Sequence, residues 1–274
     1  MERISDFAHE LLSEDIGRGD LFARCKEPAA AKAVVKSKSD GVFAGEYYAK
    51  AIATEMGVQL KPLVRDGETI TNSQTLLELE GSDIALLQTE RSLLNLLQHA
   101  SGIATQTRKF ADRLRGSGVV LLDTRKTRAL LRRLEKYATR VGGAVNHRFG
   151  LDDCLMLKDT HLAAIGDLSE FVRHARTVIP WTSTIEVECE TIEMAKSAFA
   201  AGADIVMCDN MKIDEIIEVV KLRNAISPAT KIEASGNVTL ENIDRYASTG
   251  VDAISTGSLI HHAVWLDFSM KMVV

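Results

Sequence analysis

No two of the four cysteines form a C-x-x-C pair. Cys154, Cys189 and Cys208 sit in apolar, strand-like runs, so buried reduced thiols are expected, and with them a reducing, cytoplasmic setting. No apolar stretch approaches the ~18–20 residues that a membrane span needs. The opening MERISDFAHELLSED is acidic and amphipathic and lacks the basic start and apolar run of a signal peptide. Nor is positive charge in excess. The 33 Lys and Arg face 38 Asp and Glu, which argues against general nucleic-acid binding but leaves room for a local anion site.

What is present is length and apolar content. With 274 residues, 46% of them apolar, the chain can bury the core of one large domain or two modest ones. The first hundred or so residues read as mixed α and β. AAAKAVVKSKSDGVFAG alternates like a strand, and GETITNSQTLLELEGS reads as a strand pair around a turn. A long helical pattern follows, with leucines at 86, 87, 93, 94, 96 and 97. From residue 119 the pattern becomes regular. VVLLD, CLMLK, TIEVE, DIVMCD, KIEAS and DAIST alternate with amphipathic stretches, as in a parallel α/β sheet. Six such strands hint at a barrel smaller than the usual eight.

Each of these runs ends on a polar group: Asp123, Lys158, Glu188, Asp209, Ser235 and Thr256. The carboxyl ends of parallel strands are where sites form. ASGN (234–237) and STGS (255–258) follow the last two runs and precede helical patterns, an arrangement that suits a phosphate. The segment 123–150 gathers six Arg and two Lys against one Asp and one Glu. Arg125, Lys126, His147 and Arg148 fall in loops beside strand ends and are candidates to bind a small polyanion. Arg128, Arg132, Arg133, Lys136 and Arg140 fall at helical spacing, and a solvated helix face is expected for them. Glu188 and Asp209 are candidates to hold Mg²⁺ or sugar hydroxyls. Glu186, Glu188 and Glu190 should share one face of their strand. Arg91, flanked by leucines, either snorkels from its helix or projects into a site.

DTRKT, LEKYA, GG-x-x-NHR-x-GL-x-D, LKD-x-H, IEVE, EASGN and GVDAIS-x-G occur in this order. Together with EDIGRGDLF and ERSLLNLLQHASGIAT they give a chain that resembles quinolinate phosphoribosyltransferase along nearly its whole length. The resemblance implies an N-terminal α/β sandwich over residues 1–103. Residues 104–274 would form a catalytic α/β barrel of about six strands, with a C-terminal tail free to pack back on the first domain. It implies transfer of phosphoribose from phosphoribosyl pyrophosphate to quinolinate with Mg²⁺, releasing pyrophosphate and carbon dioxide, as a step of NAD synthesis. A homodimer or a hexamer built of dimers is implied as well.

Carried onto this sequence, the quinolinate pocket falls on Arg91 (from a partner subunit), Arg125, Lys126, His147, Arg148 and Lys158. Lys126, Lys158, Glu188 and Asp209 would be catalytic. The phosphoribosyl and phosphate contacts fall on Glu188, Asp209, Ser235, Gly236, Asn237, Ser255, Gly257 and His261. The chain departs from the family pattern at Arg128-Ala129-Leu130, where Thr-Pro-Gly is usual. It departs again at Ala144, Thr160 and Asn237, where Gly, Asn and Gly are usual. No departure removes a charged site group. A related molybdenum-transport protein shares parts of the pattern but has Pro where Asn146 stands here. From the residues alone, two rivals are a Schiff-base lyase using Lys158 and a non-catalytic anion-binding protein.

Overall fold

The computed structural model describes residues 4–273. In chain order the elements are α1 (Ile4–Ile16), β1 (Ala30–Ser37), β2 (Gly41–Val42), α2 (Glu46–Glu55), β3 (Gln59–Pro62), β4 (Thr69–Ile70), β5 (Thr75–Ser82) and α3 (Asp83–Arg113). Then come β6 (Val120–Leu122), α4 (Arg132–Gly142), β7 (Cys154–Leu157), α5 (Asp159–Leu162), α6 (Leu168–Val178), β8 (Thr184–Cys189), α7 (Ile192–Ala201) and β9 (Ile205–Asp209). The chain ends with α8 (Ile213–Ile226), β10 (Lys231–Ser235), α9 (Ile243–Ala247), β11 (Ala253–Ser255), α10 (Ser258–His261) and β12 (Phe268–Val273). Residues 1–106 and 262–274 make one compact unit and residues 107–261 the other. The chain passes from one to the other inside α3. No helix among the described residues is long and apolar enough to cross a membrane.

The first unit is built on an antiparallel sheet in the order β12-β1-β5-β3. Along β1, Ala33, Val35 and Ser37 are buried while their neighbours are not, the period-2 burial of a sheet with one covered face. Phe268 and Met270 of β12 also reach the core, which fixes the register of the tail against β1. One expectation changes here. β4 and β5 do not pair with each other: β4 pairs with β2, and β5 lies between β1 and β3. The turn between them bonds elsewhere. Ser37 donates to the Gln74 carbonyl, and Ser73 donates to the Ser37 carbonyl. The backbone groups that would have closed a hairpin are satisfied by the end of β1.

The second unit is a parallel sheet in the order β6-β11-β10-β9-β8-β7. The first strand pairs with the last, so the order is cyclic, as in a barrel. The only seam lies between β6 and β7, where Leu122 forms a parallel bridge to Val145 in the connecting segment. Ile185, Val187, Val206, Cys208, Ile232, Ala234 and Ile254 are buried in its strands. Three of the four thiols, Cys154, Cys189 and Cys208, are free and buried, and Cys25 is free and exposed. Cys189 and Cys208 are paired in register on adjacent strands. Burial pushes both thiols up, Cys208 to about 12, which makes them inert packing groups.

The loop after β6 carries the departure from Thr-Pro-Gly. Leu130 stands at the glycine position, with φ +63° and 95% exposure. A side chain there is strained and packs on nothing. Arg128 compensates: its N–H and its guanidinium both donate to the buried Glu135 carboxylate, at 2.9 and 2.8 Å. Leu130→Gly is expected to raise the unfolding free energy by about 0.5–1 kcal/mol, read by urea titration. A loss of stability would mean that the leucine is held by a contact outside this chain.

Candidate functional site

The site is built where the strands of the second unit end. A cavity of about 600 Å³ is lined by residues from the ends of all six strands or the loops that follow them. Arg125, Lys126, His147, Arg148, Lys158, Glu188, Asp209, Ser235, Gly236, Asn237 and Ser255 all line it. These were the expectations, and the fold brings them together. Thr124, Met156, Met207 and Asn210 line it as well, and none of the four bears a charge that a sequence could advertise. Gly257 and His261 lie just outside. A Cβ at Gly257 would stand 2.9 Å from the His261 ring and 3.1 Å from the Lys126 side chain. Gly257 thus leaves room for the Lys126 stem. Arg91, exposed on α3 in the first unit, is not among the lining residues and makes no ion pair among the described residues.

Four cations face this space. Arg148 is held on β7 by donating to the Cys154 carbonyl and the Met156 sulfur, both at 3.2 Å. Arg125 is pulled below its usual value by burial and by the positive charges of Arg148 and Arg132. Cations that disfavour one another in a half-buried place favour a polyanion between them. Lys158 pairs with Glu188. Lys126 forms no ion pair among the described residues.

The predicted solvated helix face needs correction at Lys136. This side chain is fully buried and pairs with the fully buried Asp123. It also donates to the His147 carbonyl at 2.9 Å and lies 5.1 Å from the centre of the Phe149 ring. Asp123 accepts further bonds from Thr139 (2.9 Å), Asn146 (2.6 Å) and the His147 N–H (2.9 Å). The segment 146–149, with His147 and Arg148, is therefore fastened to the end of β6, just before Arg125 and Lys126.

Beneath the cavity, His147 Nε2 lies 3.3 Å from a carboxylate oxygen of Glu186 and 3.3 Å from one of Glu233. Both carboxylates are buried. Burial pulls His147 down, but the hydrogen bonds and charges of the two glutamates outweigh it and take it up to about 10. Burial pushes Glu186 up too. The ring's other nitrogen, Nδ1, accepts the Arg148 N–H at 2.7 Å. The two carboxylates therefore hold a proton on Nε2 between them, while the Nδ1 contact with the Arg148 N–H opposes a second ring proton. Ligand atoms of these three residues lie within 4.8 Å of one another. A metal there would have to displace the Nε2 proton while Nδ1 is already an acceptor, so the cluster is a hydrogen-bonded floor. Both ring nitrogens of His147 are thus engaged within the protein. Of the three glutamates expected on one face, Glu186 joins this floor, Glu188 lines the cavity, and Glu190 lies exposed beyond the end of β8.

The two glycine-containing loops also differ from expectation. Ser235 and Ser255 are joined by a hydroxyl bond of 3.1 Å on adjacent strands. No helix starts directly after ASGN, since α9 begins only at Ile243, and α10 is a four-residue helix. Phosphate affinity at these loops must therefore come from free backbone N–H groups rather than from a long helix. Gly236 (φ +86°) and Asn237 (φ +51°) are consecutive left-handed residues. Their N–H groups donate to nothing among the described residues.

Comparison with known proteins places these observations. The sequence matches the domain family "Quinolinate phosphoribosyl transferase, C-terminal domain" over residues 103–271 and the N-terminal domain of the same family over residues 20–101. It is 42% identical over 265 residues to a protein of Bacillus subtilis named "Probable nicotinate-nucleotide pyrophosphorylase [carboxylating]", covering 95% of this chain and 90% of that one. A Synechocystis protein of the same name is 40% identical, with 98% and 92% covered. The crystal structure of NadC from Streptococcus pyogenes superposes with a TM-score of 0.92 at 39% identity, covering 98% of this chain and 96% of that one.

Proposed function

The chain belongs to the quinolinate phosphoribosyltransferase family, and from that premise we propose how its residues perform the reaction. It is an enzyme of NAD biosynthesis that transfers phosphoribose from phosphoribosyl pyrophosphate to quinolinate, giving nicotinate mononucleotide, pyrophosphate and carbon dioxide. The observation that carries the site assignment is one cavity lined by Arg125, Lys126, Arg148 and Lys158 together with Glu188 and Asp209.

The four cations bind the two carboxylates of quinolinate, Arg125 and Arg148 as planar forks. His147 contributes as the floor that positions Arg148. The backbone N–H groups of Gly236 and Asn237 and the hydroxyls of Ser235 and Ser255 receive phosphate oxygens. Gly257 and His261 shape the wall behind Lys126. As pyrophosphate leaves, the ribose carbon gains positive charge, and the Glu188 and Asp209 carboxylates stabilise it. The pyridine nitrogen supplies the electron pair for the new bond to that carbon. The resulting pyridinium draws electrons, the adjacent carboxylate departs as carbon dioxide, and the ring carbon keeps the electron pair. A proton from Lys126 completes the product. Lys158 is the less suited donor because its ammonium is committed to Glu188.

Glu188 and Asp209 also fit Mg²⁺. Two carboxylates at one cavity would suit a hard cation, which takes oxygen ligands. When bound, the ion supplies positive charge to the departing pyrophosphate. We place the enzyme in the cytoplasm on its free buried thiols. We further propose a homodimer or a hexamer of dimers in which Arg91 completes a neighbour's quinolinate pocket. The exposed, unpaired Arg91 on α3 supports this.

The function is tested with purified chain, phosphoribosyl pyrophosphate, Mg²⁺ and either quinolinate or nicotinate. Quinolinate-dependent release of nicotinate mononucleotide and carbon dioxide in equal amounts is expected. Equal turnover of nicotinate without carbon dioxide would overturn the assignment of the dicarboxylate.

A further inference from the structure

Three side chains at the cavity edge form a line. Asn237 Nδ2 donates to Asn210 Oδ1 at 2.8 Å, and Asn210 Nδ2 donates to Asp209 Oδ2 at 2.8 Å. The direction of this line is fixed by chemistry. A carboxylate only accepts, so Asn210 must turn its NH₂ to Asp209 and its carbonyl to Asn237. Asn237 must then spend its NH₂ on Asn210. Its side-chain carbonyl oxygen is left over and accepts from nothing among the described residues.

The backbone is shaped around this line. Asn210 has φ +54° and Asn237 has φ +51°, a conformation that asparagine tolerates better than most residues. A Cβ at Gly236 would stand 2.2 to 2.8 Å from three atoms of Asn210, so only glycine lets Asn210 lie between the two strand ends. The Asn210 N–H donates to the Ser235 carbonyl at 3.0 Å. Asn242 Nδ2 donates to the Asn237 main-chain carbonyl at 2.9 Å. The Asn237 side chain is therefore placed by four separate constraints, at a position where the family pattern has glycine.

The consequence concerns which part of a substrate meets this corner. The Asn237 side-chain carbonyl and the remaining Asp209 oxygen are both acceptors. Acceptors at the two ends of this line repel phosphate oxygens and attract O–H groups. We propose that Asn237 divides its work. Its backbone N–H faces phosphate, while its side chain orients Asp209 through Asn210 and accepts a hydrogen bond from a ribose hydroxyl of phosphoribosyl pyrophosphate. This rests on the transfer reaction proposed above. The side chain is a specificity element that this chain has and a glycine-bearing relative lacks.

The experiment compares the wild type with Asn237→Gly and Asn237→Asp. Glycine relieves the positive φ, so folding is not at risk, and aspartate keeps the size but removes the donor to Asn210. The Kd for phosphoribosyl pyrophosphate is measured by calorimetry, beside those of its analogues lacking the 2- or the 3-hydroxyl. KM for quinolinate is measured in turnover. Each substitution should weaken phosphoribosyl pyrophosphate about tenfold, the scale of one hydrogen bond to a polar partner, and leave KM for quinolinate unchanged. One of the two analogues should bind wild type and Asn237→Gly equally. A penalty that persists with both analogues, or no penalty at all, would overturn the hydroxyl contact. A wild-type chain that makes no mononucleotide from quinolinate would instead sink the transfer reading, and the ribose assignment with it.

Discussion

Lys136→Met will destabilise the protein by about 3–5 kcal/mol, the cost of leaving one member of a buried ion pair without the other. The side chains of Lys136 and Asp123 are both at 0% exposure. Burial pulls Lys136 below its ordinary value, and the bond and charge of Asp123 only partly restore it. Methionine fills the same volume, so packing loss is small. What changes is that the Asp123 carboxylate keeps Thr139, Asn146 and the His147 N–H but loses its counter-charge. With total stabilities of about 5–15 kcal/mol, this is a large share, and the thermal midpoint should fall by roughly 6–20 °C. Lys136→Met combined with Asp123→Asn should recover part of the loss, because the amide removes the unpaired charge while its NH₂ must face one of the donors that Asp123 accepts from. A double variant no better than the single one would locate the defect in packing and not in electrostatics. Because the pair fastens the segment carrying Arg148, the single variant should also raise KM for quinolinate more than KM for phosphoribosyl pyrophosphate.

Lys136 also marks where reading the sequence stops. The strand ends were legible, since apolar runs that stop on Asp, Lys, Glu and Ser report both the sheet and its mouth. The cavity is accordingly lined by most of the residues those ends suggested. Helical spacing, however, places Lys136 on the same pattern as its exposed neighbours. Its partner lies 13 residues away across a loop, and periodicity says nothing about such a contact. The His147 floor was hidden for the same reason. Glu186 and Glu233 come from β8 and β10, with β9 between them, so only closure of the sheet brings both to one imidazole. The Asn237 line was half visible. The departure from glycine could be seen, but the positive φ and the contact with Asn210 could not. The passage between the two units was obscured by α3, whose apolar pattern runs on without a break.

A chain carrying Arg91→Ala and a chain carrying Glu188→Gln should each be nearly inactive alone and active together. In the proposed mechanism Glu188 stabilises developing positive charge, and loss of one such preorganised group typically lowers turnover by about 10²–10³-fold. Glutamine also frees Lys158 from its ion pair, adding uncompensated positive charge where the ribose carbon becomes cationic. Arg91→Ala removes one fork from a dicarboxylate pocket, so its loss should fall on quinolinate KM as well as on turnover. If Arg91 serves a neighbour, the defects lie in different sites of a mixed dimer. One site then carries both lesions and the other carries neither. Random pairing of coexpressed chains should restore about a quarter of the wild-type activity, since half the dimers are mixed and half of their sites are intact. If Arg91 serves its own subunit, every site in every mixed dimer retains one lesion, and coexpression restores nothing. Recovery near a quarter would establish the shared site. An Arg91→Ala chain with full activity alone would remove Arg91 from the pocket altogether.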